Sequence, residues 1–219
     1  MDTRPGDDRL AAVAVLGDRL RRALYRFVAK EDRPVSRDEA ARATGVSRSA
    51  AAFHLDRLAA EGLLDTEFRR LSGRQGPGAG RPAKLYRRAD RDIAVTLPPR
   101  HYDFAADLLA AAVTEATDTA APVATTLLRL AHERGTAMAA AAADNDNDGA
   151  AVEVLTDHGY EPRMEGDELV LANCPFHALV NDHRALVCTM NLALLEGFAD
   201  ALPALGRTAR LQPGAHQCC

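Results

Sequence analysis

Between residues 8 and 29, Leu10, Val13, Leu16 (or Gly17), Leu20, Leu24 and Phe27 recur at steps of three and four. That is the period of one helix face, and it predicts a single amphipathic helix. Ser36 followed by Glu39 is a capping box that opens a short helix over 37–44, and Gly45 suits its left-handed end. Ser47 caps a third helix over 48–61, closed by Gly62. Two short helices joined by a Gly-containing turn make a helix-turn-helix. On the second of them Ala52, Leu55, Leu58 and Ala59 turn inward, whereas Arg48, Ser49, His54 and Arg57 cannot all do so.

Residues 63–71 then alternate as a strand, and 84–88 supply its partner. The intervening 72–83 is rich in glycine and arginine. Residues 66–91 carry Arg69, Arg70, Arg74, Arg81, Lys84, Arg87, Arg88 and Arg91 against Glu67 and Asp90 alone. A hairpin with a cationic tip beside a recognition helix reads as a wing. Its charges would neutralise phosphates and make affinity salt-dependent. The reading helix of such a motif lies in the major groove. The expected DNA contacts are therefore Ser47, Arg48, Ser49, His54 and Arg57 on the helix, with Arg69, Arg74, Arg81 and Lys84 on the wing.

Past residue 100 the pattern changes to alanine-rich helices. One covers 101–117, with Phe104, Leu108, Ala112 and Glu115 in phase, and a second begins at Pro122 with Val123, Leu127, Leu130 and Arg134. Because one reading unit covers few base pairs, these narrow stripes are the expected homodimer contact on paired half-sites. Asp144 to Gly149 lacks the closing Glu of a calcium loop and reads as a linker. A short helix over 151–158 ends at Gly159, and 160–164 pairs with 168–172 around Glu165-Gly166-Asp167. Asn173-Cys174-Pro175 then opens a helix, with Asn173 or Cys174 at the cap and Pro175 at its first position. A helix over 184–202 follows, with Cys188, Leu192, Leu195 and Ala199 on one stripe.

The chain is thus expected to be α+β. It comprises an N-terminal winged helix-turn-helix over 1–99, Ala-rich dimerisation helices over 100–149, and a small C-terminal α+β cysteine-bearing domain over 150–219. Composition agrees with a folded protein: 219 residues, 47% apolar, 26% charged, no Trp. No run nears the roughly 18 apolar residues of a membrane span, and the charged start lacks the apolar core of a secretory signal, so a cytoplasmic protein is expected. The net charge of −4 conceals a division. Residues 1–100 hold 21 basic against 14 acidic groups, the remainder 6 against 17. Such asymmetry marks one nucleic-acid-facing module joined to another of different purpose.

All four cysteines, Cys174, Cys188, Cys218 and Cys219, fall in the acidic half. In a reducing compartment such clustering points to metal or redox chemistry. A helix N-terminus would favour a thiolate at Cys174. The spacing matches neither the paired knuckles of zinc ribbons nor the compact run of ferredoxins.

Cys174-Pro175-Phe176-His177, the run Leu186 to Gly197 (LVCTMNLALLEG), and the terminal Cys218-Cys219 together resemble the SufR-type repressors. These are winged-helix regulators of the broad ArsR-like class that govern iron–sulfur cluster assembly genes. The wing Gly78 to Tyr86 (GAGRPAKLY) is similar to theirs as well. The resemblance implies a cytoplasmic homodimer that represses from a double-stranded DNA operator. It implies a [4Fe-4S] cluster held by Cys174, Cys188 and Cys218. The fourth ligand stays open among Cys219, His177, His183 and His216, as does the choice between Cys218 and Cys219.

Two other regulators fit the same residues. One responds to zinc or arsenite through the cysteines, with His177 completing a zinc set; the other responds to a small molecule and keeps its cysteines for structure. An enzyme using Cys174 with His177 or His183 lacks a third orienting group, and no enzymatic activity is expected.

Overall fold

A computed structural model describes residues 5–70, 82–142 and 148–212. Two compact units emerge, 1–95 and 96–219. The chain is mixed α and β, with helices dominating two small antiparallel sheets.

The first unit begins with α1 (Pro5–Val15) and α2 (Arg19–Lys30). The sequence predicted one helix here. The break falls at Asp18, whose carboxylate accepts from the Arg21 N–H at 2.8 Å and so caps a new helix. The apolar phase carries across the break, which is why periodicity alone does not reveal it. Next come β1 (Val35–Ser36), α3 (Arg37–Thr44) and α4 (Arg48–Ala60). The Ser36–Glu39 capping box is present in both directions, and Gly45 closes α3 at φ 70°. Ser47 caps α4 by accepting from the Ala50 N–H at 3.2 Å.

The hairpin is β2 (Leu64–Arg69) with β3 (Ala83–Arg88), and β3 lies between β1 and β2. The register sets Thr66 opposite Tyr86 and Phe68 opposite Lys84. Leu24, Val28, Val35, Leu55, Leu58 and Tyr86 are essentially fully buried and form the core that fixes α4 against the sheet. The expected wing tip, with Arg74 and Arg81, lies outside the described residues.

The second unit holds α5 (Tyr102–Thr119), α6 (Val123–Ala139), α7 (Asp148–Asp157), the hairpin β4 (Pro162–Glu165) and β5 (Glu168–Leu171), and α8 (His177–Asp200). The linker expected at 144–149 lies mostly outside the described residues. Its last two residues, Asp148 and Gly149, open α7.

Of the stripes assigned to a dimer contact, Leu108, Ala112 and Leu127 are buried within the chain, whereas Phe104, Glu115 and Leu130 are half-buried and Val123 and Arg134 are exposed. Ala105, Leu108 and Ala112 of α5, and Leu127, Ala131 and Met138 of α6, share one core with α8. Helices 100–149 and the cysteine-bearing stretch therefore form one unit. Glycines allow the close approach: a Cβ on Gly135 would fall 1.8 Å from the Leu194 carbonyl oxygen, and one on Gly197 would fall 2.0 Å from that of His132.

Two expectations for the cysteine region are corrected. The helix begins at His177, with Phe176 at its cap and no side-chain capping bond. Cys174 and Pro175 therefore precede it, and Cys174 does not stand at its N-terminus. On α8 the buried face runs through Val187, Met190, Asn191, Leu194 and Phe198, with Cys188 at its edge, whereas Leu192, Leu195 and Ala199 are half-buried. Small alanines and Gly197 let the packed stripe shift by one position from the predicted one. The break predicted near residue 184 appears as a non-helical His183 (φ −130°, ψ 36°).

Candidate nucleic-acid interface and cysteine site

The outer face of α4 carries Ser49, Phe53, Asp56 and Arg57, all exposed, opposite the buried Ala51, Leu55 and Leu58. Ser49 hydroxyl lies 3.1 Å from that of Ser47. Arg48 pairs with Asp38 at 2.6 Å, and Arg57 with Glu61 at 2.7 Å. These are exposed pairs of small net worth, and phosphates can replace their carboxylates. His54 is turned away from this face. It is half-buried, and its Nδ1 makes no hydrogen bond among the described residues.

The hairpin is attached to α4 by side chains. Asp56 Oδ1 accepts from Lys84 Nζ at 2.5 Å and from the Tyr86 hydroxyl at 2.8 Å, and Lys84 Nζ stands 5.4 Å from the Tyr86 ring centre. Partial burial works to raise the Asp56 pKa, yet the hydrogen bonds from Lys84 and Tyr86 outweigh it and hold the carboxyl below its ordinary value. Burial, and then the bond to Asp56, pushes the Tyr86 phenol upward. Lys84, read from the sequence as a phosphate contact, is thus engaged within its own unit. Arg69 is exposed, 3.5 Å from Glu67.

Sequence reasoning missed Phe53 and Asp56. Both carried a readable signal, because each lies off the buried 51–55–58 stripe.

In the second unit, Cys174 is 7% exposed and Cys188 8%. Cys174 lines a cavity of about 380 Å³, together with Tyr160, Leu171, Asn191, Leu195 and the stretch Leu205–Gln212. Cys188 belongs to the same apolar core but is not among the lining residues. The loop bearing Cys174 is held from several sides. Asn173 donates to the carbonyls of Pro99 (3.0 Å) and Gly159 (2.6 Å), and Arg100 donates to Asn173 Oδ1. The Cys174 carbonyl accepts from Arg100 at 3.2 Å and from the His177 N–H at 3.1 Å. Phe176 is buried and stacked on Phe104 at 6.1 Å. Tyr160 donates to Asn191 at 2.6 Å inside the core.

The last described stretch is also anchored. Arg207 makes a two-pronged bond to Asp148, at 2.9 and 2.8 Å, and donates to the Asp167 carbonyl at 2.7 Å; Arg210 pairs with Glu168. His177 and His183 are exposed. Cys218, Cys219 and His216 lie outside the described residues. Among the described residues no three His, Cys, Asp or Glu side chains converge on a metal-sized site. No described helix is long and apolar enough to cross a membrane.

Residues 16–67 match a protein family described as a helix-turn-helix domain. Comparison with curated proteins and with solved structures gave no match. The match spans α2 to β2, the same elements that place α4 for reading DNA, and β3 completes the winged form. The protein is a DNA-binding transcriptional regulator of the winged-helix kind.

Proposed function

We propose that the protein is a repressor that senses iron–sulfur or redox status through a cysteine-held cluster, most simply a [4Fe-4S] cluster, and controls iron–sulfur cluster assembly genes. The observation that carries this reading is the shared wall of one cavity. Cys174 lines it, and so does the anchored stretch Leu205–Gln212. Cys218 lies six residues beyond Gln212, a contour of at most ~20 Å.

The donor set fits a soft, thiolate-ligated group. The two described cysteines are buried, and Leu155, Leu171, Leu195 and Phe198 are among the cavity's lining residues. Cys174, Cys188 and Cys218 would hold the group, with the fourth position open among Cys219, His177, His183 and His216. Such a cluster supplies reversible electron uptake and sensitivity to oxidants. The chain's own part is to hold the thiols in place. Asn173 and Arg100 fix the Cys174 loop, α8 carries Cys188, and Arg207 and Arg210 bring the last stretch alongside. Ligation by all three thiols would add a tie between elements that otherwise share core packing and surface ion pairs, so their release would loosen the second unit.

Homodimerisation belongs to the same reading, since a single reading helix contacts one half-site. The packed stripes of α5 and α6 are used internally. The outer stripe of α5, Ala106, Ala110 and Val113, is exposed and small enough for close helix packing.

The test is iron, sulfide and zinc content with the visible spectrum of anaerobically purified protein, beside operator binding before and after oxidation. About four iron and four sulfide per chain, lost in Cys174→Ser, together with weaker operator binding after oxidation, are expected. Zinc alone would replace this reading by the metal-ion-responsive regulator.

A further inference from the structure

We propose that Phe53 is a specificity-determining residue of the DNA interface, reading the 5-methyl group of thymine in the major groove. The inference rests on the winged-helix reading of the first unit and is independent of the cysteine site.

Phe53 occupies the middle of α4, on one line with Ser49 a turn before it and Arg57 a turn after it. Its side chain is 67% exposed. The other long side chains of this face are engaged: Arg48 with Asp38, Asp56 with Lys84 and Tyr86, Arg57 with Glu61. Phe53 meets the His54 ring in a T-shaped contact, 5.2 Å between centres, and two thirds of it is open to solvent. An aromatic ring in water at the centre of a reading helix is an apolar contact awaiting a partner. The charge around it specifies which one. Arg48 and Arg57 stand on α4 itself, Lys84 reaches Asp56 on the same helix, and the first 100 residues carry a net positive charge, which suits a polyanion and disfavours a second copy of the same surface.

A second aromatic lies on the adjoining surface. Phe68, also 67% exposed, stands directly across the ladder from Lys84 and therefore shares its face of the hairpin. Asp56, one turn along α4 from Phe53, is bonded to that same Lys84. Two exposed rings thus flank one salt-bridged junction, and they are not scattered singly over the unit.

The major groove offers one apolar feature at the base edges, the thymine methyl, and Phe is among the residues that contact it. Cytosine and deoxyuridine lack it. A ring at Phe53 therefore prefers thymine without a hydrogen bond, while phosphate contacts from the neighbouring arginines hold the helix in register.

The experiment uses the full chain, purified anaerobically, to select binding sites from a pool of random duplexes, followed by replacement of each thymine by deoxyuridine. Wild type is expected to lose about fourfold in affinity at one or two thymines per half-site, the worth of one buried methyl. Phe53→Ala should show the same affinity for thymine and deoxyuridine there, and Phe53→Leu should keep most of the difference. Restoring the methyl as 5-methylcytosine opposite guanine should recover binding by wild type only. Because Phe53 is exposed, the variants' folds should match wild type by circular dichroism. A deoxyuridine scan identical in wild type and Phe53→Ala overturns the proposal. So does a Phe53→Ala variant that binds every sequence more weakly by one common factor, or one that changes oligomeric state in place of thymine preference. A wild type that enriches no duplex overturns the DNA-reading assignment itself.

Discussion

Lys84 Nζ stands 2.5 Å from Asp56 Oδ1, so a wing cation is neutralised by a carboxylate on the reading helix. Tyr86 donates to the same oxygen, which joins helix and hairpin at one point. The arrangement fixes their angle and withholds one positive charge from DNA.

Asp56→Asn should separate these two roles. The amide oxygen still accepts from Tyr86, but the ion pair is gone and Lys84 is available to phosphate. Duplex affinity at low salt should rise, and the slope of log affinity against log salt should steepen by about 0.9, one phosphate contact. Titrations at four or five salt concentrations measure it. An unchanged slope would mean that Lys84 stays off the backbone.

The capping box of α3 predicts an acid response. The Glu39 carboxylate accepts from the Ser36 N–H at 2.7 Å and from Arg33 at 2.8 Å. The backbone bond first, and Arg33 second, lower its pKa from 4.5 to about 2. A folded-state pKa below the unfolded one stabilises the fold above the unfolded value, and that gain is lost as pH falls from 4.5 towards about 2. Glu39→Gln should therefore cost about 1 kcal/mol at neutral pH. Urea titrations across the acid range should show the difference from wild type shrinking towards zero near pH ~2. A gap that stays constant through this range would assign the effect to packing.

Local signals were legible wherever a single side chain decides the backbone. Ser36 with Glu39, Gly45 and Ser47 all stand where the sequence placed them. The hairpin was legible from alternation and from the cationic run between its strands. The reading failed where two causes share one pattern. The apolar phase crosses Asp18 unchanged, so the break between α1 and α2 was hidden. An alanine-rich stripe looks the same whether it packs on another chain or on α8, and only the contacts of Gly135 and Gly197 distinguish the two. Phe53 leaves no trace in the charge pattern, being an apolar residue on a polar face. The Cys174 loop was misplaced because Pro175 fits a first helical position equally well as the turn it forms.

The crossing of α6 and α8 should tolerate no side chain at its two glycines. A Cβ at Gly135 or Gly197 would overlap backbone atoms of the facing helix, which cannot move aside as a flexible side chain could. Thr136 reinforces the crossing by donating to the Gly197 carbonyl at 3.2 Å. Gly135→Ala and Gly197→Ala should each cost about 3 kcal/mol or more. The loss should fall on the second unit, with amide-exchange protection unchanged in α2, α3 and α4. Equal loss of protection in both units would show that they unfold as one.

Asn173 provides the most direct test of how the cysteine loop is held. It is 7% exposed, and its amide is the donor to the carbonyls of Pro99 and Gly159 while its oxygen accepts from Arg100. Asn173→Ala removes all three bonds and leaves two carbonyls near the Cys174 backbone without this donor, at a cost of about 2–3 kcal/mol. Asn173→Asp keeps the acceptor for Arg100 but sets a carboxylate oxygen against both carbonyls, so it should be at least as destabilising as alanine unless the pair with Arg100 offsets that repulsion. Under the proposed ligation, the same order should appear in the rate at which a chelator removes iron from anaerobically prepared protein. Asn173→Ala should be faster than wild type, with DNA binding by the first unit retained at low salt. Iron loss at the wild-type rate, in a variant whose second unit is measurably less stable, would separate the anchor from the ligand site and sink this account of the loop.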